Sequence, residues 1–147
     1  MLQGASQLSL DDKGRLAVPT RHRETLLAGG RSAVLTAHPD NCLLLYPSAA
    51  WDPISTRLQS LSSFDPQVRM WQRLLVGFAE DLELDGQGRI LISPVLRKFA
   101  SIRKEVMLVG QGSHFEIWDT AVWEEKLQQA KGQAFSSPPH GTENFTL

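Results

Sequence analysis

The sequence is short of cysteine, of tyrosine and of net charge: Cys42 and Tyr46 are the single examples of their kind, and 15 Lys/Arg oppose 16 Asp/Glu for a formal charge of −1. One cysteine excludes an internal disulfide framework, and Cys42, beside Leu43-Leu44-Leu45, reads as buried filler rather than a nucleophile. No apolar run approaches the ~18 residues needed to cross a bilayer. Met1-Leu2-Gln3-Gly4-Ala5 lacks the basic-then-apolar order of a signal peptide, so a cytoplasmic location with no membrane partner is expected. His22, His38, His114 and His140 are scattered without ligand spacing, so neither a metal nor another cofactor is expected. His-x-x-x-His, a nucleophile elbow and Gly-x-Gly-x-x-Gly are all missing, which argues against an enzyme and against a small-molecule substrate.

What is present is ordinary globular composition, 41% hydrophobic and 21% charged, enough for one domain or two very small ones. The charge is unevenly laid out. Residues 1–104 hold 13 Lys/Arg against 10 Asp/Glu, whereas residues 105–147 hold 2 against 6. A basic excess over the first part permits nucleic-acid binding without requiring it.

The chain also repeats itself. Leu8-Ser9-Leu10-Asp11-Asp12-Lys13-Gly14-Arg15-Leu16-Ala17-Val18 matches Leu82-Glu83-Leu84-Asp85-Gly86-Gln87-Gly88-Arg89-Ile90-Leu91-Ile92 at an offset of 74 positions, and Arg23 and Arg97 keep that offset. Ala33-Val34-Leu35 then corresponds to Val106-Met107-Leu108, Leu45-Tyr46 to Ile117-Trp118, and Trp51 to Trp123. Each copy reads as strand, tight turn, strand, short helix, strand, strand, helix. Leu8 and Leu10, like Leu16 and Val18, alternate with polar neighbours as half-buried strands do. Asp-x-x-Gly between them is turn chemistry, and Gly14 and Gly88 tolerate a positive φ. Thr20 is the expected cap of the first short helix, which should stop at Gly29-Gly30; Ser93 with Pro94 should open its counterpart. The last helix of each copy should start at Asp52-Pro53 and near Asp119-Thr120.

Between the copies Asp65-Pro66 opens a connecting helix with Val68, Trp71, Leu75 and Phe78 on one stripe, a connector that also offers a subunit interface. Trp51, Trp118 and Trp123 follow strands and are expected to pack in the core or an interface. Ser136 to Gly141 has no periodicity and is expected to form a mobile tail. The expected organisation is copy one over 1–60, the connector over 61–79, copy two over 80–126 and the tail over 127–147.

Asp11 and Arg15, like Asp85 and Arg89, flank one turn, so carboxylate and guanidinium can meet and the arginine is fixed in direction. Spacing alone leaves two roles open, a brace for the turn or a loop presenting Arg15, Lys13 and backbone N–H groups to phosphates or guanine edges. Each aspartate has an arginine partner that favours its ionised form, which argues against a general acid.

The stretch Leu8 to Pro19, its repeat over Leu82 to Ile92, Trp71-Gln72-Arg73-Leu74-Leu75-Val76-Gly77 and Lys104-Glu105-Val106-Met107-Leu108-Val109-Gly110 together resemble the MraZ family, over about residues 1–126. The resemblance implies an α+β fold: a duplicated AbrB-like (SpoVT-AbrB) swapped-hairpin β-barrel, a double-psi-like pseudo-dimer within one chain, with short flanking helices. It implies a DNA-binding transcriptional regulator, a repressor of the cell-division and cell-wall gene cluster. Such proteins bind direct repeats upstream of their own operon, as ring-like homo-oligomers on the nucleoid. Carried over by motif position, Arg15 and Arg89 become the DNA contacts, with Lys13 and Gly14 beside them in copy one and Asp11 and Asp85 as positioners. Arg21, Arg23 and Arg97, at the helix starts, read either as phosphate contacts or equally as solvated surface charges. Copy two has Gln87 where copy one has Lys13, so copy one is expected to be the stronger DNA face. The alternative is an AbrB-like antitoxin or protein-interaction module, which the duplication disfavours.

Overall fold

The computed structural model describes residues 1–28, 30, 32–133 and 138–146. Copy one contributes β1 (Ala5–Ser9), β2 (Arg15–Ala17), α1 (Thr20–Leu26), β3 (Ser32–His38), β4 (Cys42–Pro47) and α2 (Ser48–Ser60). The connector is α3 (Pro66–Trp71), which runs straight into one π-helical turn, Gln72–Val76. Copy two repeats the order with β5 (Glu80–Glu83), β6 (Arg89–Leu91), α4 (Pro94–Phe99), β7 (Glu105–Gly110), β8 (Phe115–Asp119) and α5 (Thr120–Gln133). The fold is mixed α+β, with an antiparallel sheet. Among the described residues no helix is long and apolar enough to cross a membrane.

The sheet explains why the repeat exists. Its six strands run β1-β7-β8-β4-β3-β5, and a separate two-stranded ribbon joins β2 to β6. Exchanging the copies gives the same order read backwards, a pseudo-two-fold arrangement in which the first strand of each copy pairs with the other copy. The strands on either side of each Asp-Arg turn therefore do not form the hairpin that the sequence suggests. Leu8 of β1 faces Val106 of β7, and Leu16 of β2 faces Ile90 of β6. Local pattern cannot reveal this, because the gain lies in distant partners. Leu10, Leu16, Val18, Ile90 and Ile92 are buried together with Leu35, Leu45, Leu108 and Ile117 in one core built from both copies. The hydrogen-bonded sheet is open at β1 and β5 rather than closed into a barrel.

A second cluster covers the opposite face of β3 and β4, where Val34, Leu44 and Tyr46 meet Trp51, Leu58 and Leu75. This is why both faces of β3 and β4 are buried. The Tyr46 and Trp51 rings lie 5.7 Å apart, and the repeat-equivalent Trp118 and Trp123 also lie 5.7 Å apart. Cys42 is buried, as its neighbours indicate.

Several boundaries differ from expectation for local reasons. Thr20 is the first helical residue of α1 and not its cap, because Pro19 holds the cap position in extended backbone without a side-chain bond. That helix ends at Leu26, with Gly30 N–H donating to the Leu27 carbonyl; Gly29 lies outside the described residues. Helix α2 begins at Ser48 and leaves Pro53 inside the helix, because the Ser48 hydroxyl donates to the Ser32 carbonyl at 2.8 Å and ties the first turn to β3. Ser93 and Asp65 cap α4 and α3 as expected, accepting from Leu96 and Gln67 N–H groups. The connector's stripe is split. The π-turn advances the face, so Leu75 enters the second cluster and Phe78 packs on Phe99 of α4 at 5.3 Å, while Trp71 stays half exposed. Of the expected mobile tail, Ser136 and Ser137 lie outside the described residues.

Candidate nucleic-acid interface

Each Asp-Arg turn is closed by one carboxylate. Asp11 Oδ1 accepts the Lys13 and Arg15 N–H groups at 2.9 Å each, and Oδ2 accepts Arg15 Nε at 2.7 Å. Asp85 repeats this with the Gln87 and Arg89 N–H groups at 2.9 Å and Arg89 Nε at 2.8 Å. Gly14 and Gly88 carry the positive φ of 84° and 74° that the turns need. The Arg15 N–H, ahead of the Arg15 side chain and the Lys13 N–H, holds Asp11 down at about 2, against the opposing effect of burial. Asp85 is lowered in the same way, with the Arg89 N–H foremost. Both carboxylates are thus anions at neutral pH, and both guanidiniums are fixed in direction.

The ribbon sets the two turns side by side. Arg15 lies opposite Leu91 and Ala17 opposite Arg89, while Leu16 and Ile90 point into the core, so Arg15 and Arg89 share the outward face. Reciprocal bonds join the copies at either end: Val18 N–H donates to the Gly88 carbonyl at 2.9 Å, and Ile92 N–H to the Gly14 carbonyl at 3.0 Å. Arg89 Nη1 also comes within 3.6 Å of Asp11 Oδ2. Its charge is therefore shared between two carboxylates, a cross-copy contact that spacing does not show.

The other candidates separate. Lys13 is exposed at the tip of its turn, and Gln87 takes the same place in copy two. Arg21 is exposed on α1 and donates to Ser6 Oγ of β1 at 3.0 Å, away from the turn network. Arg23 and Arg97 are half-buried and donate through Nε to the carbonyls of Val18 and Ile92, both at 2.9 Å. Gly14 is buried, and its N–H donates to the Asp11 carbonyl at 3.0 Å. Of the two roles that spacing left open, the backbone N–H groups of Lys13, Gly14 and Arg15 serve the brace, since all three have acceptors inside the turn. Sequence reasoning missed the ribbon that pairs the turns and the lodging of Arg23 and Arg97 beside them. The available signal was that both arginines keep the 74-residue offset.

The chain matches the MraZ family model, whose description adds antitoxin-like, twice: over residues 1–74 and over residues 75–144. It is 56% identical over 148 residues to a transcriptional regulator MraZ of Methylobacillus flagellatus, covering 100% of both chains. Similar proteins of that name in Nitrosospira multiformis and Nitrosomonas eutropha are 53% and 49% identical, again over 100% of both chains. With the family model matched once per copy and relatives of this identity over the full length, the chain belongs to the MraZ family.

Proposed function

We propose that the chain is a sequence-specific DNA-binding transcriptional regulator, and that the paired turns are the surface it lays on double-stranded DNA. The observation that carries this reading is the ribbon: two arginines, each fixed by its own aspartate, are presented on one outward face. Arg15 and Arg89 contact base edges or phosphates, and Lys13 reaches a phosphate from the tip of its turn. Arg21 adds a phosphate contact from the start of α1, while Gly14 shapes the loop and Arg23 and Arg97 stand behind it. Copy one is the stronger DNA face, because it has Lys13 and because Arg89 alone is drawn toward a second carboxylate.

The finer fold reading is that sheet and ribbon together make the swapped-hairpin barrel of the AbrB-like group, with copies at 1–60 and 80–126, the connector at 61–79 and a C-terminal segment from 127 that opens with the last turns of α5. One subunit neutralises few phosphates, so a ring-like homo-oligomer meeting successive direct repeats supplies the missing affinity, about 10²–10⁴ through effective concentration. The exposed connector residues Phe64, Met70 and Trp71 suit the contact between subunits. The regulator acts in the cytoplasm on the nucleoid as a repressor of the cell-division and cell-wall gene cluster that includes its own gene.

Footprinting of the chain's own upstream region across a salt series tests this. Protected direct repeats with a steep salt dependence support the reading, and no protection at low salt rejects it. The antitoxin-like wording of the family description supports a second reading, which a toxin gene beside this one would favour over methyltransferase and division genes.

A further inference from the structure

Arg23 of α1 and Arg97 of α4 are laid over the turn of the other copy. The Arg97 guanidinium covers Gly14 of copy one: a Cβ on Gly14 would lie 2.8 Å from Cζ and 3.0 Å from Nε. The Arg23 guanidinium covers Gly88 of copy two so closely that a Cβ there would overlap it. The carbonyls that hold these arginines belong to the residues whose N–H groups already bridge the copies. Arg97 Nε donates to the Ile92 carbonyl at 2.9 Å while Ile92 N–H donates to the Gly14 carbonyl at 3.0 Å. Arg23 Nε donates to the Val18 carbonyl at 2.9 Å while Val18 N–H donates to the Gly88 carbonyl at 2.9 Å. Each arginine therefore closes a small circuit running from its own helix, through the residue just after one ribbon strand, to the opposite turn. A planar guanidinium can hold the carbonyl through Nε and keep its face on the glycine peptide; an ammonium, a point donor on a flexible stem, cannot do both.

We infer that Arg23 and Arg97 are positioning residues: each clamps the opposite copy's turn, so that Arg15 and Arg89 are presented by one rigid unit rather than by two independent loops. The positive φ favours glycine at 14 and 88, and a Cβ there would displace the other copy's guanidinium from its seat. The clamp is a property of the free chain; its consequence for DNA rests on the function proposed above.

The test is hydrogen exchange on the full-length chain without DNA, for Arg97→Ala, Arg97→Lys, Arg23→Ala and Arg23→Lys. Both Arg97 variants should speed exchange at residues 12–15 by about fivefold to tenfold, the size of one lost hydrogen bond, and affect residues 86–89 less. The Arg23 variants should show the mirror pattern. A change confined to the substituted copy's own turn, or spread equally over the core, overturns the clamp. If an alanine variant does not fold, the lysine variant gives the same reading.

Affinity for a duplex of the upstream region separates positioning from direct contact. The clamp predicts that lysine fails as alanine does. Full affinity in Arg97→Lys with unchanged exchange would make Arg97 a phosphate contact and end the proposal. If the unaltered chain does not bind that duplex, the function reading fails while the exchange pattern still decides the clamp.

Discussion

Asp11 takes two backbone N–H groups on one oxygen and the Arg15 Nε on the other, so its charge holds the turn and the guanidinium together. Its folded pKa, about 2, lies below the ordinary 3.8, so the stability it contributes is present above 3.8 and lost as pH falls through about 2. In Asp11→Asn that contribution should be missing at pH 5 to 8, and the gap to the unaltered chain should close by about pH 2 in acid unfolding curves. A gap independent of pH would mean that the charge does not matter. Gly14 carries φ 84° under the Arg97 guanidinium. Gly14→Ala should cost about 1–3 kcal/mol in chemical unfolding through backbone strain at that φ, with the Arg97 guanidinium pushed aside. A neutral result would show that the turn has room the structure denies it. The aspartate–arginine contact itself was legible in the spacing, because an arginine four positions after the aspartate, just past the Asp-x-x-Gly turn, is brought back to it. The arginine over the opposite glycine was not, since nothing near Arg97 in sequence points to Gly14.

At the scale of elements, capping chemistry was readable where a side chain performs it and unreadable where backbone does. Ser93 and Asp65 announce their helices; Pro19 and Pro47 start helices with no side-chain bond, so α1 and α2 were misplaced at their N-termini. The π-turn had no signal at all, because its stability comes from tertiary partners. Thr36, fully buried on β3, donates its hydroxyl to the Leu75 carbonyl at 2.7 Å and lies 3.3 Å from that of Leu74. Thr36→Val keeps the shape but leaves a buried carbonyl unpaired, and should cost about 1–3 kcal/mol. Urea titration would measure this, and an unchanged midpoint would show that the hydroxyl does not anchor the connector.

For the whole molecule, the duplication was plain in the sequence and the exchange of strands was not. A strand pattern records which face is buried, and β1 buries Leu8 equally well against β2 or β7. Pairing across the copies puts both sets of leucines and isoleucines into one core, so neither half retains a complete sheet alone. Residues 1–79 expressed by themselves should be unfolded or should dimerise to replace the missing copy, and should not give a folded monomer. Light scattering with circular dichroism checks this. A folded monomeric half would contradict the interlocked account.

The same interlocking makes the two turns one surface, the one proposed to read DNA. Fluorescence anisotropy of a labelled upstream duplex, at fixed salt, with the unaltered chain, Arg15→Ala and Arg89→Ala, tests that reading most directly. Arg15→Ala should lose about 1–3 kcal/mol of binding, roughly fivefold to 150-fold in affinity, while fold and assembly remain intact. Arg89→Ala should lose less. Equal, undiminished affinity in all three proteins would contradict that reading.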